Sequence, residues 1–137
     1  MKVSVTLFMF VVGLAAFVGC QSSPPNAAYR PDWLPSAAKV VFDSRWEDGF
    51  LGDAAYKLKA RVTHAEFDSA VSHLGLLPYR EVPPSTYTNE PPQWMGELDK
   101  RWDPTAELED SFVLKQGRWW QLAKYRNGFL YYQSVRY

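Results

Sequence analysis

The sequence predicts an α+β fold: an antiparallel sheet of about five strands, element order ββαβββ, with one helix packed on one face. Three observations predict it. Two stretches near residues 40 and 60, and a longer block at the carboxy terminus, alternate side-chain polarity or end at turn residues as strands do. Between them stands one segment with helical periodicity and a capping signal at each end. The strands come in runs, without the strand–helix alternation that builds a parallel sheet.

Residues 39–46, KVVFDSRW, form the first expected strand. Val40, Phe42 and Trp46 fall on one side, and Val41, Asp43 and Arg45 on the other. EDGFLGD at 47–53 follows, its two glycines marking a turn. The next strand has the cleanest alternation in the chain: Tyr56, Leu58, Ala60 and Val62 point one way, Lys57, Lys59 and Arg61 the other. A slip of one residue would turn three cations toward the core, so its register is strongly specified. The two strands read as an antiparallel hairpin.

Thr63-His64-Ala65-Glu66 then fits a capping box, in which Thr63 and Glu66 each satisfy the other's backbone amide. Val62 and Phe67 occupy the positions of a hydrophobic staple. Phe67, Ala70, Val71 and Leu74 make one apolar stripe, and Gly75 is the expected left-handed residue that closes the helix. From Pro78 to Pro104 six prolines interrupt any regular element, because each lacks the amide that a helix or central strand uses. This interval reads as a long, partly extended loop carrying Tyr79, Tyr87, Trp94 and Trp102, with room for a short helical turn within Met95–Arg101.

Three strands end the chain. SFVLK at 111–115 turns at Gln116-Gly117 into RWWQLAKYR at 118–126. Asn127-Gly128 then signals a type I′ hairpin, which needs positive φ at both central residues, and FLYYQSVRY at 129–137 returns. That turn pairs Tyr125 with Leu130, Ala123 with Tyr132, and Trp120 with Val135. Aromatics therefore lie on both faces of the hairpin. The helix covers one face, and the proline-rich loop is the segment free to cover the other.

Composition narrows the classes of function. Fifteen basic residues balance fifteen acidic ones, which argues against a nucleic-acid partner, since such a protein needs surplus cations to displace counterions from phosphates. An aromatic content of 16% is far too rich for a chain disordered throughout. The single cysteine rules out an intramolecular disulfide framework and a cysteine-built zinc cluster.

The amino terminus is an address. Lys2 precedes an uncharged run, Val3 to Gly19, that is short against the ~20 residues of a membrane-spanning helix and suits a secretory signal peptide. Val18-Gly19-Cys20 follows, and then QSSPPN, a polar, proline-containing tether. This amino terminus resembles that of a bacterial lipoprotein precursor, with Val18, Gly19 and Cys20 standing at lipobox positions. The resemblance covers only the first ~25 residues, since the segment behind them carries no part of it. It implies a diacylglyceryl thioether on Cys20, cleavage before that residue, and acylation of the new amine. Two or more chains give stable attachment, at about 0.8 kcal/mol per buried CH₂. Gln21 after the cysteine implies sorting to the outer membrane, facing the periplasm. The expected organisation is a signal peptide at 1–19, a lipidated Cys20 with flexible tether at 20–35, and a single α+β domain at 36–137. Trp33 and Leu34 are the first residues expected to dock on that domain.

Candidate chemistry is sparse. No G-x-S-x-G elbow and no glycine-rich phosphate loop occurs in the sequence, and an acylated Cys20 is no nucleophile. His64 and His73 are nine residues apart on one helix, hence on opposite faces, so they cannot share an ion. Asp43, Glu47, Asp48 and Asp53 cluster near the first hairpin loop without the spacing of an EF-hand. No metal or cofactor is expected. Asp99, Asp103, Glu107, Glu109 and Asp110 read as polar loop residues beside a strand. The row Lys57, Lys59, Arg61 reads as the solvated side of a strand, with contact to anionic lipid headgroups as the functional alternative.

The aromatics are the informative feature, because tryptophan and tyrosine combine an apolar body with a polar tip. Trp94, Trp102, Trp119, Trp120, Tyr131 and Tyr132 are the candidate binding surface for a protein or glycan partner. The competing reading is that the loop folds over the sheet and buries them. The functional expectation is a lipid-anchored cell-envelope protein, not an enzyme, whose small domain binds or supports a partner. The alternative is an immunity or inhibitor lipoprotein that blocks a periplasmic enzyme. A third reading, a cell-wall or glycan hydrolase, requires two carboxylates held at a fixed separation in a concave pocket.

Overall fold

The computed structural model describes residues 30–47, 52–87 and 92–136. The expected signal peptide, Cys20, most of the tether and Asp48 lie outside the described residues. The elements are β1 (Lys39–Glu47), β2 (Ala54–Arg61), α1 (His64–Leu74), β3 (Leu77–Pro78), two short 3₁₀ turns (Tyr79–Glu81 and Pro84–Tyr87), β4 (Ser111–Gln116), β5 (Trp119–Arg126) and β6 (Phe129–Arg136). Among the described residues the fold is α+β, an open antiparallel sheet with one helix. The sheet has six strands, in the order β1-β2-β6-β5-β4-β3. The strand beyond the expected five is β3, two residues that pair with Val113 and Phe112 of β4. It is too short to show periodicity, and its proline is tolerated because β3 is an edge.

The local signals around the helix hold in detail. Thr63 Oγ1 accepts from the Glu66 amide at 3.2 Å, and Glu66 Oε2 accepts from the Thr63 amide at 2.7 Å. Gly75 closes the helix at φ 68°, its amide reaching the Ser72 and Val71 carbonyls. Asn127 and Gly128 take φ of 52° and 80°, as a type I′ turn requires. The resulting register pairs Tyr125 with Leu130, Ala123 with Tyr132 and Trp120 with Val135. The Val62 amide ties this turn to the end of β2 through the Gly128 carbonyl at 3.1 Å.

One alternation does not survive. Val40 and Phe42 do not share a face, because the β1–β2 register shifts between them. A bulge inserts one unpaired residue, so the strand's side-chain pattern changes face there. Val40 packs toward the helix, and Phe42 joins the opposite cluster. Trp46, farther along β1, is 53% exposed.

The core on the helix face joins Leu58, Ala60, Phe67, Val71, Ala123, Leu130 and Tyr132. The chain before β1 belongs to it as well. Leu34 and Ala38 are buried, and Trp33 packs on Tyr132 with ring centroids 4.7 Å apart. The end of the expected tether, from Pro31, is thus packed against the sheet. On the opposite face lies a strap, residues 92–110. It carries two hydrogen-bonded turns, Trp102 amide to Asp99 carbonyl at 2.9 Å and Ser111 amide to Leu108 carbonyl at 2.8 Å, and no helix.

Candidate functional site

Strand alternation sends Lys57 and Lys59 away from the helix, but not into solvent. The strap lies over them and Lys57 is buried, which corrects the expectation of a solvated row. Lys57 Nζ donates to the Gly96 carbonyl at 2.6 Å and lies 3.3 Å from Glu97. Lys59 Nζ donates to the Arg101 carbonyl at 2.7 Å and to Asp103 at 3.0 Å. Arg126 reaches the Asp103 carbonyl at 2.8 Å, and Lys124 reaches Thr105 at 3.2 Å and the Glu107 carbonyl. Gln133 Oε1 accepts from the Met95 amide and its Nε2 donates to the Gln93 carbonyl, both at 2.8 Å. These strap carbonyls have no neighbouring strand to pair with. Long side chains from the sheet supply the donors, their stems lying along apolar surface. Arg61, at the end of the row, is exposed with its guanidinium over the Phe129 ring at 4.9 Å.

Asp103 of the strap forms one polar group with Tyr131 and Lys59 of the sheet. Burial and donation to Asp103 push the Tyr131 phenol up, so it stays protonated. The Tyr131 hydroxyl, followed by Lys59, holds the Asp103 carboxyl below its usual value. Burial alone would lower Lys59, but its hydrogen bonds to Tyr131 and Asp103 outweigh that and raise it. Burial lowers Lys124. A phenol held protonated and a carboxylate held ionised in mutual contact make a brace.

The six aromatics named from sequence separate into two groups. Trp102 of the strap and Tyr131 of the sheet are buried against each other with their centroids 5.7 Å apart, and Trp94 lies 6.0 Å from Trp102. The Trp102 indole donates to the Met95 carbonyl at 2.9 Å and the Trp94 indole to Ser111 at 3.1 Å. Trp120, also on the strap side of the sheet, is buried with Lys115 over its ring at 5.2 Å. Trp119 and Tyr132 project from the helix side of the sheet. With Pro31, Trp33, Tyr56, Arg45, Glu47 and Ser134 they line an open cleft of about 290 Å³. A second hollow, of about 320 Å³, lies between β1 and the strap and is lined by Ser44, Trp46, Lys57, Met95 and Glu97.

The aromatic cleft is built before any ligand arrives. Tyr132 is buried and its hydroxyl donates to Gln121 at 2.8 Å, which fixes the ring at the floor. Trp33 leans on it, and Tyr56 meets it edge-on at 6.1 Å. Guanidinium groups lie over two of the cleft's rings: Arg45 over Tyr56 and Arg136 over Trp119, each at 5.1 Å. No family model, curated protein or solved structure matches this chain.

The remaining candidates do not assemble. Among the described residues no group of three or more histidine, cysteine, aspartate or glutamate side chains could hold a metal. His64 is exposed, edge-on to Tyr125 at 4.8 Å and 3.8 Å from Asp68. Asp99 binds Arg101, and Asp53 binds Arg118 at 3.2 Å. Trp33, Tyr56, Arg45, Glu47 and Ser134 were not read from sequence as a site. They come from the lead-in, β1, β2 and β6, and no spacing joins such segments. The one local signal was Trp33, already expected to dock.

Proposed function

We propose that this protein is a lipid-anchored component of the bacterial cell envelope, held by Cys20, whose α+β domain is a non-enzymatic binding module. The observation that carries the anchor is the Val18-Gly19-Cys20 lipobox behind an uncharged leader. The binding role is supported by the cleft of Trp33, Tyr56, Trp119 and Tyr132, an aromatic concavity with a charged rim. The structural occupation of Glu97, Asp99 and Asp103 by Lys57, Arg101, and Lys59 with Tyr131 supports reading these carboxylates as strap fastenings.

Cys20→Ser tests the anchor. It abolishes labelling by a radioactive fatty acid and leaves a larger, unprocessed precursor. Labelling that persists in the variant overturns the reading. Among the described residues no helix is long and apolar enough to cross a membrane.

A second reading is favoured by Trp46, more than half exposed on the edge strand β1. An edge strand with an exposed aromatic suits insertion into an enzyme cleft, as an immunity or inhibitor lipoprotein would do. The purified protein would then co-purify with one hydrolase and suppress its activity, and Trp46→Ala would relieve that suppression.

A further inference from the structure

The aromatic cleft selects its ligand by what its rings and rim already hold. Its half-buried rings, Trp33 and Trp119, stand over a fixed floor of Tyr132, so little ordering remains to be done on binding. A cationic guest is disfavoured, because Arg45 and Arg136 lie over the Tyr56 and Trp119 rings and repel it. The rim carries both signs, Glu47 beside Arg45, so it offers acceptors and donors together and is not a purely cationic cradle for a compact anion. A wholly apolar chain would leave Arg45, Glu47 and Ser134 without exchange for the water it displaces.

One ligand chemistry satisfies every part. A pyranose ring carries a patch of C–H bonds on one face and hydroxyls around its edge. The C–H face packs on the electron-rich face of an indole. Each hydroxyl both donates and accepts, so neighbouring hydroxyls pair with a carboxylate, a guanidinium and a serine hydroxyl. The cleft's 290 Å³ lies at the lower end of the ~300–1,000 Å³ typical of small-molecule pockets, which suits one sugar ring better than an extended peptide.

We infer that this cleft is a saccharide-binding site, taking one exposed hexopyranose ring of a glycan with its C–H face on Trp119 and Trp33 and its hydroxyls on Arg45, Glu47 and Ser134. The inference rests on the binding-module reading above and names the ligand class of that same cleft. It is independent of the anchor.

The test uses the full processed chain in a detergent without a sugar headgroup, titrated with maltotriose, cellotriose and chitotriose while the indole N–H signals are followed by NMR. At least one trisaccharide shifts the Trp33 and Trp119 signals saturably, and those of Trp94 and Trp102 stay in place. Trp119→Ala weakens that binding by about ten-fold or more, as expected for an aromatic anchor. Glu47→Gln, an exposed change that leaves the core alone, weakens it several-fold. Trp46→Ala, outside the cleft, leaves it unchanged. If Trp119→Ala fails to fold, the Glu47→Gln titration and the signal mapping decide. The inference is overturned if no trisaccharide moves Trp33 and Trp119, if Glu47→Gln binds as the unaltered protein does, or if a polyproline peptide moves those signals and the sugars do not. The peptide outcome keeps the binding-module reading and removes the saccharide. Failure of the Cys20→Ser labelling test removes the anchor and leaves the saccharide site standing.

Discussion

Gln133 Oε1 accepts a hydrogen bond from the Met95 backbone amide at 2.8 Å, which fixes a proline-rich strap to the centre of the sheet. Gln133 is fully buried on β6, and its other amide atom holds the Gln93 carbonyl. An amide side chain suits this position because it offers one acceptor and one donor group to a backbone segment that has no strand beside it.

Replacing that side chain leaves two strap groups without partners. Gln133→Leu should destabilise the domain by about 2 kcal/mol or more, since each of the two orphaned part-buried groups costs about 1 kcal/mol or more. Urea unfolding followed by tryptophan fluorescence measures it. Gln133→Glu keeps the acceptor for Met95 and loses the donor for Gln93. A loss below about 1 kcal/mol for Gln133→Leu would mean that water replaces both bonds and that the strap is held elsewhere.

The capping box should behave as one unit. Thr63→Ala costs about 1 kcal/mol. Because Thr63 and Glu66 satisfy each other, the Thr63→Ala, Glu66→Ala double variant should lose less than the sum of the single losses. Strict additivity in thermal unfolding would contradict this coupling.

Gly128 offers a test of backbone strain free of side-chain clash. A Cβ there meets no atom within 4 Å, but φ is 80°. Gly128→Ala should therefore cost about 1–2 kcal/mol from the left-handed backbone alone. The strand register should remain, which cross-strand nuclear Overhauser effects between Ala123 and Tyr132 would show.

Acid should loosen the strap first. Hydrogen bonds from the Arg101 side chain and amide lower Asp99 from 3.8 to about 2. The Tyr131 hydroxyl and Lys59 lower Asp103, and the Leu98 amide and Lys57 lower Glu97. A carboxyl depressed in the folded state contributes stability that is fully present above its unfolded value and is lost as pH falls through the folded one. The window therefore opens at the ordinary values of 4.5 for glutamate and 3.8 for aspartate and extends down to about 2. The urea midpoint should be flat just above this window and fall within it. Asp103→Asn should lower the plateau and flatten the fall. An unchanged slope would remove Asp103 from the acid response.

The elements formed by near neighbours were legible in the residues. The capping box, the left-handed Gly75, the Asn127-Gly128 turn and the register it imposes involve contacts within a few positions, where steric and hydrogen-bond rules act without reference to the rest of the chain. The bulge between Val40 and Phe42 was not legible, because an inserted residue leaves the apolar spacing unchanged while reversing its direction. The two-residue β3 carries too few positions for any period. The lysine row misleads for a different reason: alternation says which face a side chain takes, and burial depends on what crosses that face later in the chain.

By itself the sequence determined an α+β chain with one capped helix and the pairing of its last hairpin. Tertiary structure alone decided that Lys57 is covered while Trp46 is exposed, and that Trp119 and Tyr132 meet Trp33 and Tyr56 in a cleft while Trp94 and Trp102 of the strap pack against the sheet with Tyr131. The reason is range. Local geometry is set by a few dihedrals and their nearest hydrogen bonds, whereas a cleft and its cover are made by segments distant in sequence that become neighbours only when the sheet forms and the strap crosses it.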